Sequence, residues 1–215
     1  MVGSRVTAML DDRGVVLVAA GGAGRGLFVA AGLHSLGCST TDIRLAVLTH
    51  YHPDHSGGLR SLLQRSQASI AAHAEDAPVI GGDVSYPSPF KSPLLGVLAR
   101  PVVWILAGGP VKVDHILRDG ELLPTAEQVQ VIHTPGHTPG SICLYLKSKK
   151  LLIVGDALQH SRGVLSPPAA NVTRDAGLAM QSLRKLAQLD FETICFSHYP
   201  PLKIRARETL QRLID

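Results

Sequence analysis

The feature that most constrains this chain is a set of short apolar runs, each ending at a histidine or an aspartate. Leu45-Ala46-Val47-Leu48-Thr49 delivers His50, and Val129-Gln130-Val131-Ile132 leads into a loop carrying His137. Residues 151–154 end at Gly155-Asp156, and Thr193-Ile194-Cys195-Phe196 ends at Ser197-His198. Aliphatic, β-branched runs of this length, bounded by Gly and Pro, read as buried strands. Side chains carried at strand ends can gather along one rim of a β-layer, where the scaffold is rigid and loops give access. Such a rim suits a metal site.

The segments between these runs alternate in type. Residues 15–19 form a further strand running into Gly21-Gly22, and the helical pattern of residues 27–36 stops at Gly37, a suitable C-terminal glycine. After His50, Ser56-Gly57-Gly58 precedes an amphipathic stretch over residues 59–64, so the first histidine cluster lies on a strand-to-helix loop. In His133-Thr134-Pro135-Gly136-His137-Thr138-Pro139-Gly140, two X-Pro pairs and two glycines exclude regular structure and hold His137 on a stiff loop. Residues 141–146 and 151–154 read as a hairpin turned by residues 147–150.

Composition removes several classes of function. With 45% hydrophobic residues in 215, the chain reads as one soluble globular domain with a substantial core. The 21 basic and 17 acidic residues are dispersed without interleaved aromatics, which argues against nucleic acid as a partner. Cys38, Cys143 and Cys195 are odd in number and far apart, as expected of reduced thiols, and the opening residues are too polar for a signal peptide. A cytoplasmic location follows by default. The apolar stretch 93–110 is short for a membrane span and carries Arg100 and Pro101, so no membrane partner is expected. That segment instead reads as a cover over the rim (residues 81–110, with Trp104) or as a homodimer contact through residues 94–106.

The residue types at the rim define the chemistry. In an extended segment the side chains of His50 and His52 point the same way, whereas Asp54 and His55 turn aside, so one short loop can serve two metals. Neutral imidazoles and carboxylates suit a divalent ion such as zinc, and Asp156 is the natural carboxylate to bridge two such ions.

His50-Tyr51-His52-Pro53-Asp54-His55-Ser56-Gly57-Gly58 resembles the H-x-H-x-D-H signature of metallo-β-lactamase-fold hydrolases. Residues 134–141, Gly155-Asp156 and Ser197-His198 resemble the later motifs of that superfamily in the same order. The resemblance implies an α/β (α+β) fold, a four-layered αββα sandwich spanning residues 1–215, with the superfamily's opening strands expected to be shortened or absent. It also implies two divalent metal ions, zinc first, with iron and manganese as alternatives. One ion falls to His50, His52 and His137, the other to Asp54, His55 and His198, with Asp156 shared. The implied activity is hydrolysis of a small-molecule thioester, ester or lactone by a shared hydroxide, in the manner of glyoxalase II. Asp54 would orient the nucleophile or accept its proton; Tyr199, which adjoins His198 in the sequence, reads either as a donor to a substrate oxyanion or as a partly buried tyrosine.

Two departures bear on this reading. The superfamily's first strand usually ends in Asp-Thr-Gly, whereas residues 18–22 read Val-Ala-Ala-Gly-Gly, without a carboxylate behind the metal ligands. Ala157, Leu158, Gln159 and His160 stand where related lactonases place a tyrosine. Two further readings share the scaffold. One is a mono-iron persulfide dioxygenase using His50, His137 and Asp156; the other is a non-catalytic binding protein. His73, His133 and His160 read as structural.

Overall fold

Continuous apolar runs build two sheets whose central strands are buried on both faces. The computed structural model describes residues 4–87 and 93–215. Its first half contains β1 (Thr7–Asp11), β2 (Gly14–Val18), α1 (Gly26–Ser35), β3 (Ile43–Val47), α2 (Pro53–Ser56), α3 (Leu59–Leu63), β4 (Ser69–His73), α4 (Ala77–Gly81) and α5 (Pro93–Leu106). Its second half contains β5 (His115–Leu117), β6 (Val129–His133), β7 (Ile142–Leu146), β8 (Leu151–Ile153), β9 (Gln159–Ser161), β10 (Val164–Ser166), α6 (Ala176–Ala187), β11 (Thr193–Cys195) and α7 (Ala206–Ile214).

One sheet has the order β1-β2-β3-β4-β5, the other β11-β8-β7-β6, and β9 and β10 form a small hairpin. In the first sheet β2 through β5 pair in parallel, and β1 adds antiparallel to β2 from Thr7↔Val18 to Asp11↔Gly14. Parallel strands covered on both faces read as continuous apolar runs rather than alternating ones, and Val15 to Val18 are all nearly inaccessible.

The period of two sorts these residues into layers. Val16, Val18, Leu45 and Val47 meet Val129, Val131, Leu144 and Ile153 between the sheets. Val15, Leu17 and Ala46 face the other way, onto Leu33 of α1 and Leu59 and Leu62 of α3. On the far side of the second sheet, Cys143, Tyr145 and Leu152 pack on Leu183 and Leu186 of α6 and Leu210 of α7. The result is the αββα sandwich, with each buried aliphatic side chain contributing about 1.5–3 kcal/mol.

Local signals set the helix ends. The Asp175 carboxylate accepts from the Leu178 amide (2.9 Å) and caps α6. Gly37, just past α1, is left-handed at φ +76°.

The two sheets share one functional rim. β6 and β8 run in the same direction because both are antiparallel to β7, and β11 runs parallel to β8. The Ile142 amide donates to the Thr49 carbonyl (2.8 Å), tying the start of β7 to the turn after β3. The C-terminal ends of β3, β6, β8 and β11 therefore converge.

Candidate metal centre

Each of the seven residues singled out in the sequence stands on a loop or short helix just past one of these strand ends. His50 and His52 follow β3, and His52 keeps extended backbone angles (φ −56°, ψ 146°). Pro53 at the first helical position then turns the chain into α2, which carries Asp54 and His55. His137 lies on the β6–β7 loop, Asp156 follows β8, and His198 follows β11.

The loops bring these side chains into three overlapping groups: His50, His52 and His137; His50, His55 and Asp156; and Asp54, His55 and His198. Within each group the ligand atoms lie within 4.8 Å of one another. Asp156 touches both ends of the cluster, through His55 Nε2 (3.3 Å), His137 Nε2 (3.7 Å) and His198 Nε2 (3.2 Å). Asp54 lies 3.2 Å from His198 Nε2 and 3.6 Å from His55 Nε2.

The electrostatics divide the cluster in two. Burial, reinforced by neighbouring imidazoles, holds His50 well below its ordinary value and pulls His52 down to about 3. Burial likewise pulls His137 down to about 4, although Asp156 opposes it. These three imidazoles are neutral at pH 7, with lone pairs free to donate to a cation. At the other end, hydrogen bonds to Asp156 and Asp54 push His198 up to about 10. Burial opposes ionisation of Asp156, but His55 and His198 outweigh it and keep the carboxyl well below the usual range.

The donor set fits divalent metal. His50 Nε2, both ring nitrogens of His137, His55 Nδ1 and Asp156 Oδ1 are buried without a hydrogen-bond partner among the described residues. A bare buried polar atom costs about 1–3 kcal/mol, and a shared cation would satisfy several such atoms at once. Thr49 Oγ1 lies 3.1 Å from His50 Nδ1, fixing the ring so that Nε2 faces the cluster's ligands.

At the first motif, which lacks a carboxylate, backbone groups contact the segment that carries His55. Ala19 adopts a left-handed φ of +64°, and the Ala20 amide donates to the His55 carbonyl (2.8 Å). Gly58 donates to the Gly21 carbonyl (2.9 Å), and a Cβ at Gly58 would lie 2.0 Å from the Ala20 oxygen, so glycine is required there.

The other singled-out residues have partners of their own. His73 stacks on His133 (centroids 3.8 Å apart, 13° between planes), and His160 stacks on Phe196. Tyr199 donates its hydroxyl to Gln159 Oε1 (3.2 Å). In the segment read as a cover, α5 packs on α2, and the Tyr86 hydroxyl donates to the Tyr51 carbonyl. The side chain of Trp104 and residues 88–92 lie outside the described residues. No helix among the described residues is long and apolar enough to cross a membrane. All three cysteines are free thiols, and burial pushes Cys143 up to about 12.

Sequence reasoning overlooked Asp76. It lies between β4 and α4, is only 1% exposed, and burial raises its carboxyl to about 6 against three hydrogen bonds that favour the charge. The available signal was an acid two residues before Pro78, just after the strand-like run 68–72.

Known proteins resemble this chain in sequence and in fold. The model of the metallo-beta-lactamase superfamily matches residues 2–198. A probable metallo-hydrolase of Bacillus subtilis, YflN, is 27% identical over 173 residues, covering 74% of this chain and 66% of its own length. The acyl-coenzyme A thioesterase MBLAC2 of Gallus gallus is 33% identical over 151 residues, covering 66% of this chain and 51% of its own length. The chain thus spans between half and two thirds of these curated relatives. The crystal structure of the metallo-beta-lactamase family protein TTHA1429 from Thermus thermophilus superposes with a TM-score of 0.76 at 23% identity, over 98% of this chain and 73% of that one. With the motif order, the αββα layers and the family model in agreement, the chain belongs to the metallo-β-lactamase superfamily.

Proposed function

We propose that this chain is a binuclear, zinc-dependent hydrolase of small-molecule thioesters, with esters and lactones as chemically related acyl substrates. The observation that carries this reading is the cluster itself, in which Asp156 lies within 3.7 Å of imidazoles from both ligand sets. His50, His52 and His137 would hold one ion, Asp54, His55 and His198 the other, and Asp156 would contact both. A bound pair of divalent ions supplies Lewis acidity toward an acyl oxygen and brings the ionisation of water near neutral pH.

The protein's own groups do the rest. The Asp54 side chain is 43% exposed, the most open carboxylate of the cluster, so it faces the side from which a substrate arrives. Burial opposes its ionisation, but the hydrogen bond from His198 prevails and keeps it a carboxylate at neutral pH. Asp54 can therefore accept a hydrogen bond from the attacking water and orient it. Zinc is preferred because five of the seven donors are imidazoles, which suit a borderline divalent ion. A one-iron dioxygenase would use only His50, His137 and Asp156, leaving the second assembled set without a role. The thioester preference rests on the likeness to a protein named as an acyl-coenzyme A thioesterase.

The test is a substrate panel on protein stripped by chelator and reloaded with zinc, comparing acyl thioesters, oxoesters, lactones and a β-lactam. Thioester hydrolysis should appear only on reloading, with kcat/KM at least about tenfold above the other classes. Zinc-loaded protein that cleaves none of them, or iron-loaded protein that consumes oxygen with a persulfide, would overturn the reading.

A further inference from the structure

We infer that Asp76 is a positioning residue that holds the first ligand set together from behind, joining the two loops that carry His50, His52 and His137. This rests on the reading of those histidines as the ligands of one ion.

The three histidines come from two separate loops, one after β3 and one between β6 and β7. One carboxylate hydrogen-bonds to both. Asp76 Oδ2 accepts from the backbone amide of Tyr51 (3.0 Å), the residue between His50 and His52. The same oxygen accepts from Thr138 Oγ1 (2.7 Å), next to His137, while Oδ1 accepts from the Gly140 amide (2.7 Å). Thr138 is further fixed by Ser141, whose Oγ accepts from the Thr138 amide (3.0 Å) and lies 2.8 Å from its hydroxyl.

Only a carboxylate satisfies this arrangement. All three partners are donors, and both oxygens of an ionised Asp accept. An asparagine in the same place would set an NH2 group against at least one N–H. The chain makes room for the contact: a Cβ at Gly140 would lie 2.6 Å from Asp76 Cγ and Oδ1. The last glycine of the 134–140 motif is thereby explained by close approach to Asp76 rather than by a turn. Among the described residues no hydrogen bond or ion pair joins the Asp76 carboxylate to an imidazole, so it acts on the ligands through the backbone that carries them.

The clamp spans only one of the two sets. Asp54, His55 and His198 sit on α2 and past β11, beyond the residues Asp76 holds. Loss of the clamp should therefore weaken one ion selectively, which a general loss of packing would not do. Loss of a group that orients metal ligands typically costs about 10–100-fold in metal affinity.

The experiment is cobalt(II) titration of metal-free wild type, Asp76→Asn and Thr138→Val, followed by visible absorption to distinguish the two sites, with thermal melting alongside. Thr138→Val removes one of the three donors with little change of shape, so it reports even if Asp76→Asn folds poorly. In Asp76→Asn the all-histidine set should bind about 10–100-fold more weakly, with the other set within about twofold of wild type. In Thr138→Val the same set should weaken several-fold, and excess metal should restore occupancy in both variants. Equal weakening of both sets, or unchanged affinity in folded variants, would overturn the clamp. A wild type that binds no cobalt would instead overturn the metal reading on which the clamp rests.

Discussion

Asp156→Ala is expected to lose at least about 1,000-fold in kcat while keeping the wild-type fold. Asp156 is the carboxylate within 3.7 Å of imidazoles from both ligand sets, so its removal separates them. The side chain lies at the rim among polar ligand groups, so its loss leaves the three apolar clusters intact. His198 would lose one of the two carboxylates that push it up to about 10. Steady-state hydrolysis of the best thioester, with far-ultraviolet circular dichroism as the fold check, measures this. Activity within about tenfold of wild type in a folded Asp156→Ala protein would mean that the two sets do not work as one centre.

Gly136→Ala should destabilise the protein by about 3–5 kcal/mol, lowering Tm by on the order of 10 °C. Gly136 has a φ of +136°, which an alanine rarely adopts. An added Cβ would lie 2.3 Å from the Ala179 amide nitrogen and 2.5 Å from its Cα, against backbone of α6 that cannot yield like a side-chain tip. The Gly136 carbonyl also accepts from the amides of Arg174 (3.0 Å) and Asp175 (2.9 Å), so the His137 loop and the start of α6 are fastened together there. Calorimetry of the metal-free proteins isolates this effect from metal binding. A shift of less than about 2 °C would show that α6 can move away from the loop at little cost.

Much of this architecture is written locally in the sequence. The strand runs before His50, His137, Asp156 and His198 are largely apolar, each followed within four residues by Gly or Pro, and the structure places strands there within a residue or two. α1 begins at Gly26, one residue before the apolar pattern, and ends at Ser35. The gathering of all seven residues followed from strand ends sharing one rim, together with the superfamily resemblance.

Other parts were harder to read for physical reasons. β5, β9 and β10 are three residues each, too short to establish a period. α6 was legible but overlooked: Asp175 is its cap, and Ala179, Leu183, Leu186 and Ala187 recur at helical spacing on its buried face. The pairing of Ala20 with His55 is a backbone contact, and a sequence shows a lost carboxylate at residues 19 and 20 without showing that the main chain still holds α2. Asp76 escaped for the converse reason. Its partners are amides and a hydroxyl from residues 25 to 64 positions away, a relation that no local pattern encodes.

The most direct measurement is the metal content of protein purified without added metal, by elemental mass spectrometry, on wild type and Asp156→Ala. About two equivalents of zinc per chain in the wild type, falling to one or fewer in the variant, is the predicted result. A single iron per wild-type chain, or no metal in either protein even after zinc is supplied, would contradict a binuclear zinc centre.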